Sequence, residues 1–146
     1  MIENQPGDSA EQRLAEPEML AALGERLGVT LRKRTIKCPG GSRLDIDGAS
    51  EEPLILCEAY AHQGSLKSAQ TNKVVADALR LLLAEKILGT PARKIILFAD
   101  EDAAKSVAGR RWVADAFHVF DVEVEVVPLR EDLRERLRQA QRRQYR

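Results

Sequence analysis

The chain has 146 residues, 44% of them hydrophobic and 4% aromatic, and its 23 Lys plus Arg balance 23 Asp plus Glu. That length and apolar fraction predict one domain with a two-layered core, and the zero formal net charge excludes a globally basic polyanion-coating protein. Cys38 and Cys57 have neither CxxC nor zinc spacing, and there is no signal-peptide apolar region or bilayer-length apolar run, so a reduced, cytoplasmic protein without a membrane partner is expected.

Residues 1–9 are polar, contain Pro6 and Gly7, and are expected to be disordered. Leu14, Met19, Leu20, Leu23 and Leu27 recur at helical spacing, predicting a helix over 10–27 that breaks near Pro17 and stops at Gly28. Residues 29–38 read as a strand in which Arg32, Lys33, Arg34 and Lys37 form a basic run without an acid. Pro39-Gly40-Gly41 is a turn, followed by strands at 43–47 and 54–61 joined through a turn at 48–53. The three runs predict an antiparallel meander.

A long helix is predicted over 65–88, its apolar stripe made of Val75, Ala78, Leu79 and Leu82 and widened by Val74, Leu81 and Leu83. The continuous apolar run at 94–99 reads as a central strand. A helix over 100–117 follows, capped by Asp100 or Asp102, with Trp112 expected to anchor it to the core. The run at 119–127 alternates valine and acid like an edge strand. Residues 129–145 predict a polar helix. The segment 130–146 carries seven Arg against three acids, a net 7 − 3 = +4, and its default reading is a solvated tail. The predicted class is α/β: a core of α-β-β-β-α-β order with a mixed sheet flanked by helices, then a C-terminal helix–strand–helix extension. The domain spans 10–129, with 130–146 an Arg-rich terminal helix.

Chemistry concentrates between residues 43 and 85. On a strand, residues two apart share a face, so Asp45 and Asp47 point together and Leu44 and Ile46 point into the core. Glu58 is the one acid of an otherwise apolar strand, and a buried unpaired carboxylate is expensive. If the two strands pair, Asp45 or Asp47 sits near Glu58, giving a hard, oxygen-rich site suited to Mg²⁺ or Mn²⁺. Gln70, Lys73 and Asp77 lie along one face of the following helix, with Lys67 on its first turn. The plain alternatives are a hairpin turn at Asp47-Gly48, solvated helix lysines, and structural roles for His62 and His118. No phosphate-binding glycine loop occurs.

The element order, an Asp ending the second strand and a Glu on the third together resemble the PD-(D/E)XK nuclease-like superfamily, over about residues 10–99. The resemblance implies a restriction-endonuclease-like fold and metal-dependent phosphodiester hydrolysis, on DNA in preference to RNA. It maps the metal acids onto Asp45 or Asp47 and Glu58. Two residues after Glu58, where the motif has a lysine, this chain has Tyr60. Other branches carry that lysine on the next helix, so Lys67 or Lys73 takes its place, Lys73 being preferred because it lies on the face of Gln70. Gln70 matches the helical glutamine of some relatives, and Glu18 or Glu25 stands for the first-helix glutamate. The basic first strand and the Arg-rich end are candidate phosphate contacts. A non-catalytic module binding nucleic acid or a protein is the second reading. A third is an oligomer, such as a homodimer, pairing through the 119–127 strand or the last helix.

Overall fold

The computed structural model describes residues 10–144, so the expected disorder at 1–9 and the end of the last helix at Tyr145 lie outside the described residues. In chain order the elements are α1 (Ala10–Leu27), β1 (Arg32–Lys37), β2 (Arg43–Ser50), β3 (Ile55–Tyr60), α2 (Ser68–Leu88), β4 (Arg93–Phe98), α3 (Glu101–Lys105), α4 (Trp112–Val119), β5 (Val122–Val126) and α5 (Glu131–Gln144). They build an α/β fold on one five-stranded sheet of order β1-β2-β3-β4-β5. The first three strands form the expected antiparallel meander. β4 and β5 add in parallel, which requires crossovers, supplied by α2 and then by α3 and α4. Among the described residues no helix is long and apolar enough to cross a membrane.

The sheet is covered on both faces. On one, Leu56, Ile96 and Phe98 pack with Val74 and Leu81 of α2 and Phe117 of α4. On the other, Cys57, Ile95 and Leu97 pack with Met19 and Leu23 of α1 and Leu137 of α5.

Several elements differ from expectation for identifiable reasons. α1 runs through Pro17 without a break: the proline removes one backbone bond, while burial of Ala15, Met19, Leu20 and Leu23 holds both halves. Leu14 is outside that stripe, 67% exposed. The buried line of α2 is Val74, Ala78, Leu81 and Ala84, leaving Leu79 and Leu83 outward. The predicted helix over 100–117 is two helices, because the chain turns through Gly109 at φ +76°, a left-handed conformation that glycine adopts freely. Asp100 is the cap, accepting from Asp102 N and Ala103 N.

The Arg-rich end is not a solvated tail. Leu133, Leu137 and Ala140, at three- and four-residue spacing, are buried. Arg130 pairs with Glu18 at 3.2 Å and Arg143 with Glu11 at 3.1 Å, tying α5 to α1. Gln141 clasps the backbone of Gln63, accepting from its N–H at 2.8 Å and donating to its carbonyl at 2.9 Å. Arg134 reaches Gln63 Oε1 and Asp100. The last helix therefore fixes the loop that follows β3.

Candidate active-site cleft

The cleft begins with an irregularity in β2. Arg34 pairs with Ile46 while Arg32 pairs with Ala49, so β2 has one residue more than β1 in this interval. The bulge falls on Asp47-Gly48, inside a strand rather than at the expected turn. The β2–β3 connection lies farther on, at 51–54. A Cβ at 48 would come within 2.7 Å of Leu20 Cδ2 and 3.2 Å of Leu31 Cβ, so any larger residue there would have to displace those side chains. Bulges re-aim side chains. Here Leu44, Ile46 and Ala49 all enter the core on the α2 side, breaking the strict alternation expected from sequence.

The β2–β3 ladder covers only Gly48↔Cys57 to Ser50↔Ile55. Just beyond it, Asp47 Oδ2 accepts from Ala59 N at 3.0 Å, replacing a ladder carbonyl. A cleft of about 450 Å³ opens there, walled by α1, β2, β3 and α2.

Glu58 lies on its floor, 5% exposed, with its side chain hydrogen-bonded to Asp47. Burial first, then the hydrogen bond and negative charge of Asp47 and the charge of Asp77, push the Glu58 carboxyl up to about 10, with Arg80 opposing them. At neutral pH the Asp47–Glu58 pair therefore holds a proton. Tyr60 donates its phenolic hydrogen to Asp77 Oδ2, and burial followed by the Asp77 charge drives its own ionisation far up. Asp77 also faces Arg80 at 3.7 Å. His62 is buried and pushed below the ordinary imidazole range, chiefly by burial, so it is neutral. Its Nδ1 lies 3.2 Å from Gln70 Nε2, and Gln70 Oε1 accepts from Lys67 N at 2.7 Å. Gln70 thus caps α2 and holds the histidine at once.

The fold brings Asp45, Asp47, Glu58, Gln70 and Lys73 to this one cleft, whereas Lys67, directly preceding α2, is outside its lining. Asp45 is exposed and accepts from Thr35 Oγ1 at 2.7 Å. Of the two candidates Asp45 and Asp47, it is Asp47 whose side chain meets Glu58, and among the described residues no three His, Cys, Asp or Glu side chains form a metal-holding group. Of the first-helix acids, Glu16 lines the cleft. Glu18 is committed to Arg130, and Glu25 borders a different depression. Sequence reasoning passed over Glu16, Arg13 and Arg80. The signal for Arg80 was its spacing from Lys73 and Asp77 on one helical face. Glu16 carried no comparable mark.

Comparison of the chain with family models, curated proteins and solved structures finds no match.

Proposed function

We propose that the protein is a metal-dependent phosphodiesterase of nuclease-like type acting on DNA. The observation that carries this reading is the Asp47–Glu58 pair: two hydrogen-bonded carboxyl groups at the floor of a cleft, one of them kept protonated by burial and by the other. Such a pair fits Mg²⁺ or Mn²⁺, since both donors are hard oxygens and a divalent cation offsets the repulsion that a proton now relieves. Asp47 and Glu58 would hold the ion, which when bound supplies Lewis-acid charge and a more acidic water. The likeness to the PD-(D/E)XK nuclease-like superfamily points the same way.

The chain's own residues then divide the work. Lys73, exposed on α2 and lining the cleft, neutralises charge developing on a phosphate. Gln70 keeps His62 in place as a neutral polar wall. Tyr60 supplies no cation and fixes Asp77 instead. Arg32, Lys33 and Lys37, exposed along β1, are the phosphate contacts beyond the cleft. Asp45, held by Thr35, borders the substrate path.

A second reading, a non-catalytic module binding nucleic acid or a protein, is favoured by one observation: Tyr60 occupies the motif's lysine position. In the third reading, an oligomer such as a homodimer, pairing would run through β5, an edge of the sheet, or through the last helix.

Cleavage of plasmid and single-stranded DNA with Mn²⁺ by wild type, Glu58→Ala, Lys67→Ala and Lys73→Ala tests the proposal. Wild type cleaves, Glu58→Ala does not, Lys73→Ala loses about 10²- to 10³-fold, and Lys67→Ala stays close to wild type. Calorimetry adds a readout independent of turnover: Mn²⁺ binding releases protons in wild type and weakens in Glu58→Ala. DNA binding without cleavage under any divalent metal selects the second reading.

A further inference from the structure

A second groove, about 580 Å³, lies between the start of α2 and the α3–α4 turn. Leu66 lines both this groove and the cleft, so the two adjoin. Its charged side chains are Lys105, Arg110 and Arg111 against Asp102, a net 3 − 1 = +2. Arg111 is positioned by the backbone of the preceding turn, Nη1 donating to Ala108 O at 2.7 Å and Lys105 O at 3.1 Å.

Trp112 borders the groove and is 69% exposed. The expectation that it anchors α4 to the core does not hold: Val113 and Phe117, 5% and 6% exposed, do that. Trp112 belongs to neither hydrophobic core cluster and leaves most of its indole in water beside arginines. We infer that this groove binds an unpaired nucleic-acid strand next to the cleft, with a base stacked on Trp112 and phosphates on Lys105, Arg110 and Arg111. Net positive charge matches a polyanion, and an exposed aromatic face stacks any base that is not already paired. The remaining lining mixes Thr71, Asn72 and three serines with Leu66, Val75 and Val113, and is more polar than the apolar centre of a protein interface. The inference builds on the nucleic-acid reading above and assigns the strand a place outside the reacting centre.

Trp112 is the chain's one tryptophan, so its emission reports on this groove directly. The full chain is titrated with oligo(dT), oligo(rU) and a blunt duplex in EDTA, which separates binding from hydrolysis. Oligo(dT) should quench Trp112 emission and the duplex should not. By anisotropy of labelled oligo(dT), Trp112→Ala should bind about tenfold more weakly, Trp112→Phe less so, and Arg110→Ala should flatten the salt dependence. Tighter binding of oligo(rU) with the same quenching supports the groove and assigns it RNA. Oligo(dT) binding with unchanged emission, wild-type affinity in Trp112→Ala, or equal quenching by duplex overturns it. Metal-dependent cleavage without a Trp112 response removes this groove and keeps the cleft. A Trp112 response without cleavage keeps the groove and removes the phosphodiesterase.

Discussion

Glu58 and Glu85 face the same problem, a carboxylate set against the sheet, and the chain resolves them in opposite ways. Glu85, near the end of α2, meets the ammonium of Lys94 on β4 at 2.7 Å and accepts from Ala92 N at 2.8 Å. Burial pushes its carboxyl up, but these hydrogen bonds and the Lys94 charge outweigh it, and the net shift is downward. Glu58 meets another acid, Asp47, and its carboxyl is driven up instead. The first is a closed structural pair. The second is an unresolved one, stable only with an added proton or cation, and it lies in a cleft open to solvent. Strongly shifted groups in clefts gather at functional sites, and this contrast is the physical basis for placing function at Asp47 and Glu58.

The contrast breaks first at Lys94, which is 4% exposed. Lys94→Met removes the cation from Glu85, which is partly exposed and keeps the Ala92 N–H, and should cost about 1.5–3 kcal/mol in urea unfolding, the usual worth of a hydrogen bond between charged groups. A loss below about 1 kcal/mol, typical of exposed pairs, would make Glu85–Lys94 a surface contact and end the comparison.

Glu58→Gln should act with the opposite sign. Folding raises the Glu58 carboxyl from 4.5 to about 10, so over that window the native state holds a proton that the unfolded chain gives up. Stability from this group is complete below pH about 4.5 and falls as pH rises toward 10. Glutamine avoids the loss. It should leave stability unchanged near pH 4 and add about 3 kcal/mol at pH 7, from 1.36 kcal/mol per unit. Glu85, with its lowered carboxyl, contributes stability above its unfolded value that disappears as pH falls, so the two acids tilt the pH–stability curve in opposite directions. A Glu58→Gln gain equal at pH 4 and pH 7 would show that the carboxyl is ionised in the native state.

Much of this was legible in the residues. A lone acid in an apolar strand marked Glu58, and alternation marked the meander. Lys73 and Gln70 reach the cleft because they share a helical face. What failed was what depends on a distant neighbour. Asp47-Gly48 has the local chemistry of a turn, yet it forms a bulge within a strand, with Leu20 of α1 packed close over Gly48. The arginines of α5 concealed a spacing, Leu133 to Leu137 to Ala140, that buries the helix. Lys94 lay inside an apolar run whose partner, Glu85, is on the preceding helix. Glu85 and Lys94 were therefore a pair no local pattern announces, just as Tyr60 and Asp77 were.

Tyr60 gives the smallest and sharpest of these tests, since it separates support of the acid pair from chemistry. Its hydroxyl donates to Asp77, which keeps Arg80 at 3.7 Å as a second partner. Tyr60→Phe removes that donor and retains the ring, which lies 5.6 Å from Phe98 between centroids. One hydrogen bond of this kind is worth about 1 kcal/mol net, so urea unfolding at neutral pH should show a loss of that size. Mn²⁺-dependent cleavage should change by less than about tenfold, because a phenol with a strongly raised pKa gives neither a cation nor an anion to the cleft. If turnover instead drops by orders of magnitude while stability moves by only about 1 kcal/mol, the phenol takes part in the reaction, and Lys73 loses the role assigned to it.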